Sequence, residues 1–188
     1  METGTIILIV IVGLLVLLAF YVVGVYNKLV NARNKVKDQF AQIDVQLKRR
    51  SDMIPNLVET VKGYAKHEEG TLTAVIEARN KAVSATSIND KIDANNQLTG
   101  ALNKLFALSE AYPELKANEN FLSLQKDLKE TEDKISYARQ FYNDDVKQYV
   151  NKLEMFPSNI IASMFHFEKK EMFVVDDESE RKAVKVEF

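Results

Sequence analysis

The sequence predicts an all-α protein: an up-and-down four-helix bundle with long first and last helices, behind a single N-terminal transmembrane helix. Three observations carry this reading. Ile6–Val25 is a run of twenty apolar or glycine positions, close to the ~20 that a helix needs to cross a bilayer. Beyond it, apolar residues recur at steps of three, four or seven, the helical period. Short turn signals divide the periodic stretches. The same pattern admits an alternative, three long helices with the middle one broken. The expected organisation is a short segment 1–5, an anchor 6–26, a helical domain 27–167 and a tail 168–188.

The anchor comes first. After Glu2 the next charged residue is Lys28. A cleaved signal peptide would want a basic segment ahead of its apolar run, and none is present, so an uncleaved anchor is expected. Lys28, Arg33, Lys35 and Lys37 follow the run closely. The positive-inside rule therefore puts the N-terminus outside and the domain in the cytoplasm. Phe20, Tyr21 and Tyr26 cluster at the same end, as an interfacial aromatic belt does.

The first soluble helix, about 27–66, has the stripe Leu29, Val36, Ile43, Leu47, Ile54, Leu57, Val61 and Tyr64. Pro55 sits inside it. Proline removes a backbone donor and clashes with the preceding turn, so the helix either kinks near 51–55 or ends there and restarts. Glu69-Gly70-Thr71 is a stop and a start. Helix two then covers about 71–86, with Leu72, Ile76 and Val83 inward. Helix three covers about 90–111, with Leu98, Leu102, Leu105 and Leu108 inward. Asn118 can cap helix four, whose seam runs through Leu128, Glu132, Ile135, Arg139, Tyr142, Val146, Tyr149, Leu153 and Phe156, the packing period of bundles. Pro157 ends it. If helices two and three fold back on each other, helix four returns toward the membrane. In the tail, "EMFVV" and "AVKVEF" flank an acidic turn and suggest a small hairpin.

Composition excludes several chemistries. There are 25 basic and 27 acidic residues, so no basic field favours nucleic acid. The chain has no cysteine, which removes disulfides, a cysteine nucleophile and a lipidated N-terminal cysteine. Two histidines and no cysteine argue against structural zinc. His67 in "KHEE" reads as an exposed helix-end histidine. Lys62-Gly63-Tyr64 lies in helix, so it is not a phosphate loop. Asn143, Asp144 and Asp145 are adjacent on a helix and point in different directions.

Two constellations remain. Arg50, Arg79, Glu132 and Arg139 fall on apolar stripes, where an unpaired charge is costly. They form a candidate buried polar layer, which either fixes helix register or makes a small anion pocket. Phe156, Ile160, Ile161, Met164, Phe165 and Phe167 follow Pro157 as an apolar cluster. They either cap the bundle or form a membrane-surface or partner patch.

Long blocks of the chain closely resemble the LemA family of bacterial membrane proteins. These are "YNKLVNARNKVKDQFAQIDVQLKRRSDMIPNLVETVKGYAKHE", "YPELKANENFLSLQKDLKETEDKISYARQFYNDDVKQYV" and "FPSNIIASMFHF". The resemblance covers the anchor and the domain to about residue 173 and leaves out the acidic tail. It implies a four-helix bundle on one transmembrane helix. It implies no catalytic residues, since the family has no established activity. A magnetosome-associated protein in the wider family hints at work on membranes. Some members appear lipid-anchored, which would place a domain outside the cytoplasm.

The expected function is therefore a non-enzymatic scaffold, adaptor or membrane-organising assembly, with no cofactor. Its partners would be the lipid bilayer and either another protein or its own copies, with no nucleic acid. The rival expectation is a sensor of a ligand or anion that uses the polar layer.

Overall fold

The computed structural model describes residues 3–173, and every regular element among them is helical. In order these are α1 (Thr3–Tyr64), α2 (Glu69–Ser84), α3 (Ile88–Ser109), α4 (Pro113–Lys116), α5 (Glu119–Glu154) and α6 (Ser158–Met164). The expected hairpin rests on residues beyond Phe173 and lies outside the described residues. The chain forms two compact units, one of Met1–Gln42 with Ala138–Met172 and the other built on Ile43–Tyr137. Both α1 and α5 contribute to each.

In the unit built on Ile43–Tyr137, the helices run up, down, up and down. Tyr112, just after α3, donates its hydroxyl to Glu68 in the α1–α2 turn at 3.2 Å. Asn118, just before α5, donates to the Tyr64 hydroxyl at 2.9 Å. The end of α1, the end of α3 and the start of α5 thus share one end of this unit. At the start of α3, Lys91 bonds Asp44 on α1 at 2.8 Å. α2 and α3 pack side by side, so the broken-middle-helix alternative is not what forms. The core is Ile54, Leu57 and Val61 of α1, Leu72, Val75 and Ala78 of α2, Leu98, Leu102 and Leu105 of α3, and Phe121 and Leu128 of α5. The inward face of α2 differs from the expected one. Ile76 and Val83 are exposed, and Val75 and Ala78 take the buried positions. A one-residue error of phase is easy on a short helix whose apolar residues lie on both faces.

Local chemistry sets the ends. Asn118 caps α5, its side-chain oxygen accepting from Phe121 N–H at 2.9 Å. Ser87 caps α3 in the same way through Asp90 N–H. α2 begins at Glu69 without a side-chain cap, two residues ahead of the expected start at about 71. Pro113 opens the single turn of α4, where its missing N–H costs nothing.

In the other unit, α1 first presents the apolar run. It is long and apolar enough to cross a membrane, and none of the best window is buried. The same helix then supplies Leu29, Ala32 and Val36 to a core that it shares with Tyr142, Val146, Tyr149 and Leu153 of α5 and Ile161 and Ala162 of α6.

Candidate functional site

The buried charges sort into two separate devices. Arg50 is 1% exposed and is the largest fully buried side chain among the described residues. Its guanidinium donates to Glu132 Oε2 at 2.5 Å, Thr99 Oγ1 at 3.0 Å, Asn95 Oδ1 at 2.6 Å and the Asn95 carbonyl at 3.3 Å. Asn95 is in turn oriented by its own donation to the Lys91 carbonyl at 2.7 Å. A buried guanidinium needs planar oxygen partners on several sides, and α3 and α5 both provide them. The cluster borders a cavity of about 220 Å³ whose other walls include Leu102, Phe106 and Leu128.

Arg79 does not join this cluster. Its Nε donates to the Ser51 carbonyl at 3.3 Å. Ser51 stands four residues before Pro55, and Pro55 lies inside α1. A residue with an N–H at position 55 would bond that carbonyl, but proline has none. Arg79 supplies the missing donor from α2. Helix α1 therefore passes through Pro55 without ending, and "RRSDMIPN" is a structural segment in which Arg50 and the Ser51 carbonyl each face a neighbouring helix. Arg139 belongs to the other unit, where it is 9% exposed. Of the four expected members of one layer, Arg50 and Glu132 meet, Arg79 bonds a backbone carbonyl and Arg139 belongs to the other unit. Asn95 and Thr99 were the members that stripe reading missed. Asn95 sits three residues before Leu98 on the inward stripe of α3, so a polar residue there was the available signal.

The apolar cluster after Pro157 also divides. Ile161 is buried, while Phe156 is 79% exposed and Ile160 and Met164 are each 57% exposed. Phe165 and Phe167 rest on Tyr26, with ring centroids at 4.8 and 5.7 Å, within the range of favourable aromatic pairs. Arg33 lies over the Phe167 ring at 5.2 Å, a cation–π distance. Helix four does return to the anchor-proximal end of α1.

His166 makes that return possible. It adopts φ 52°, so that His166 N–H reaches the Ser163 carbonyl at 3.2 Å and Phe167 N–H reaches the Ala162 carbonyl at 2.9 Å. This is the Schellman ending, in which glycine is the usual left-handed residue. The chain then runs back along α5. Tyr149 donates to the Glu168 carbonyl at 3.0 Å and Tyr142 to the Glu171 carbonyl at 2.9 Å. Burial raises the pKa of both phenols. The charge of Glu171 adds to this at Tyr142, and at Tyr149 Arg33 opposes it while Glu168 adds.

Comparison with known proteins fits this architecture. The family described as "LemA family" matches residues 39–188. That match begins beyond the anchor and includes the acidic tail, the reverse of the coverage expected from the resemblance at both ends. Protein LemA of Metamycoplasma hominis is 27% identical over 150 residues, covering 76% of this chain and 66% of that protein. Magnetosome protein MamQ 2 of Paramagnetospirillum magneticum is 22% identical over 174 residues, covering 79% of this chain and 64% of that protein. Magnetosome protein MamQ of Magnetospirillum gryphiswaldense aligns with the same identity and coverage. The chain thus spans slightly less than two thirds of each relative's length.

Proposed function

We propose, from the premise that the chain belongs to the LemA family, that it is a membrane-anchored, non-enzymatic scaffold. Its helical domain is held at the cytoplasmic face of a bacterial cell membrane and engages a protein partner or further copies of itself. The observation that carries this reading is the continuity of α1. One helix leads from the exposed apolar window directly into Leu29, Ala32 and Val36 of a packed core, with no flexible linker between. Such a joint fixes the packed helices at the membrane surface, which suits a platform more than a tethered soluble enzyme. The magnetosome proteins among the relatives support work at a membrane. The cytoplasmic orientation rests on Lys28, Arg33, Lys35 and Lys37.

Crosslinking in intact membranes, followed by identification of the captured chains, tests the scaffold reading. Reproducible capture of one protein or of the chain itself is expected, and a chain that crosslinks to nothing is not a scaffold. Orientation is tested by labelling Lys126→Cys, an exposed position, with an impermeant thiol reagent. Ready labelling in intact cells overturns the cytoplasmic placement.

A second reading is favoured by one observation. The Arg50–Glu132 cluster borders a cavity of about 220 Å³ with both apolar and polar walls, a place for a small ligand that senses through the register of α1, α3 and α5. A ligand-dependent shift in melting temperature, lost in Glu132→Gln, would support a sensor over a passive platform.

A further inference from the structure

The membrane-proximal unit carries two exposed features that its core does not use. The first is the outer face of α6. Ile160 and Met164 are four residues apart, so they line one side of α6, and Phe156 is exposed in the turn just before it. Phe156 is 79% exposed, Ile160 and Met164 are each 57% exposed, and Met155 beside Phe156 is 63% exposed. The opposite side, Ile161 and Ala162, is buried. A short segment that is apolar on both sides, with one side packed and the other facing out, presents an exposed apolar patch of the kind that marks an interaction surface.

The second feature is basic. Lys28 and Lys35 of α1 and Lys152 of α5 line one depression together with Gln148 and Asp145. All three lysines are exposed, and among the described residues none of them is in an ion pair. Asp145 offsets one of the three charges, so the depression stays net positive.

The segment after Pro157 and Lys28 lie where the anchor leaves the membrane, while Lys35, ten residues past Val25, stands about 15 Å along the axis and reaches back with its side chain. Lys28 is three residues past Val25, about 4.5 Å along the helix axis. Tyr26, the first residue past the apolar run, is the one that Phe165 and Phe167 touch. The residues that directly follow α6 therefore rest on the foot of the anchor, and that neighbourhood decides the occupant of its exposed face. A leaflet surface gives apolar residues the acyl boundary and gives lysines the phosphates. A protein groove would have to supply both while avoiding the bilayer next to it.

We infer that α6 lies in the headgroup region of one leaflet and that Lys28, Lys35 and Lys152 form a site for the phosphate of an anionic phospholipid. This deepens the membrane-anchored reading and rests on it. The lysines choose the lipid, α6 sets the depth, and Tyr26 ties both to the anchor.

The test uses the full chain in vesicles. The natural chain has no cysteine, so Ile160→Cys carries a single environment-sensitive fluorophore, and Leu15→Cys carries it in a parallel sample as a control. Spin-labelled lipids quench by contact. The Ile160 position should be quenched by labels near the headgroup, and the Leu15 position by labels deep in the acyl chains. Spin-labelled phosphatidylglycerol should quench the Ile160 position more than spin-labelled phosphatidylcholine, by about fivefold for each of the two uncompensated lysine charges, or about thirtyfold at most. In Lys28→Gln/Lys35→Gln/Lys152→Gln that ratio should fall to about one, with headgroup-depth quenching retained.

Loss of quenching at Leu15 overturns the anchor reading itself. Quenching at Leu15 with none at Ile160 overturns the α6 placement alone, and self-quenching at Ile160 that scales with protein density assigns the face to a second copy. Equal quenching by the two lipids overturns the phosphate site. So does abolition of the phosphatidylglycerol preference by millimolar inorganic phosphate at constant ionic strength, because the site would then serve soluble phosphate.

Discussion

Removing the Glu132 carboxylate tests whether the Arg50 cluster carries the weight its geometry implies. Breaking a fully buried ion pair by deleting one partner costs about 3–5 kcal/mol. Two features lower that figure here. The Glu132 side chain is 39% exposed, so water screens part of the interaction. Asn95 Oδ1, Thr99 Oγ1 and the Asn95 carbonyl also remain within 2.6–3.3 Å of the guanidinium after the carboxylate is gone. The loss should then approach that of one hydrogen bond to a charged group, about 1.5–3 kcal/mol. For a chain of this size each kcal/mol moves the midpoint by about 2–4 °C, so Glu132→Ala should melt roughly 3–12 °C lower. The measurement is thermal unfolding of the chain in mild detergent, followed by far-UV circular dichroism. Arg50→Met separates charge from packing, because it keeps the volume and orphans Asn95 Oδ1 at about 1–3 kcal/mol. With both substitutions no uncompensated charge remains, so the combined loss should be smaller than the sum by about 1–2 kcal/mol. An unchanged midpoint in Glu132→Ala, or strictly additive losses in the double variant, would refute the reasoning.

Further outcomes follow from single contacts. Arg79→Ala should destabilise by about 1 kcal/mol through the Ser51 carbonyl, and the effect should vanish in a Pro55→Ala background, where the helix regains its own donor. Asn118→Ala should cost about 1 kcal/mol as the cap of α5 is lost, read as a lower urea midpoint. His166→Gly should stabilise by about 1 kcal/mol, since glycine adopts the left-handed position without strain; a lower melting temperature would contradict the Schellman assignment. The raised pKa values of Tyr142 and Tyr149 mean that the folded phenols keep their protons while the unfolded chain ionises near pH 10. Their contribution is full below about pH 10 and is lost as pH rises through the raised folded values, at up to about 1.4 kcal/mol per pH unit for each phenol. Tyr142→Phe/Tyr149→Phe should flatten the alkaline decline in melting temperature.

The sequence by itself determined the all-α class, the apolar N-terminal helix, the four long helical stretches within a few residues and the cap at Asn118, but not the short helices α4 and α6. These are local properties: an apolar run of bilayer length, a helical period and a side chain that bonds its own backbone three residues on. It also placed Arg50 and Glu132 on inward stripes, because a charge on an apolar face is visible without knowing its partner. Tertiary structure alone decided which charges meet. Arg50 finds Asn95 and Glu132 because α3 and α5 both pass it, and a stripe records which face a residue is on but not its height or its neighbour. Arg79 was misassigned for the same reason: its partner is a backbone carbonyl left open by Pro55, and no side-chain pattern marks a carbonyl as vacant. The exposed Ile76 and Val83 show the limit on α2, where apolar residues on both faces leave the phase to be set by whichever side α1 and α3 cover. The division of the Phe156–Phe167 cluster had the same origin. Its composition announced an apolar surface, but only tertiary packing decided that Phe165, still 47% exposed, and Phe167 touch Tyr26 while Phe156, Ile160 and Met164 are each more than half exposed.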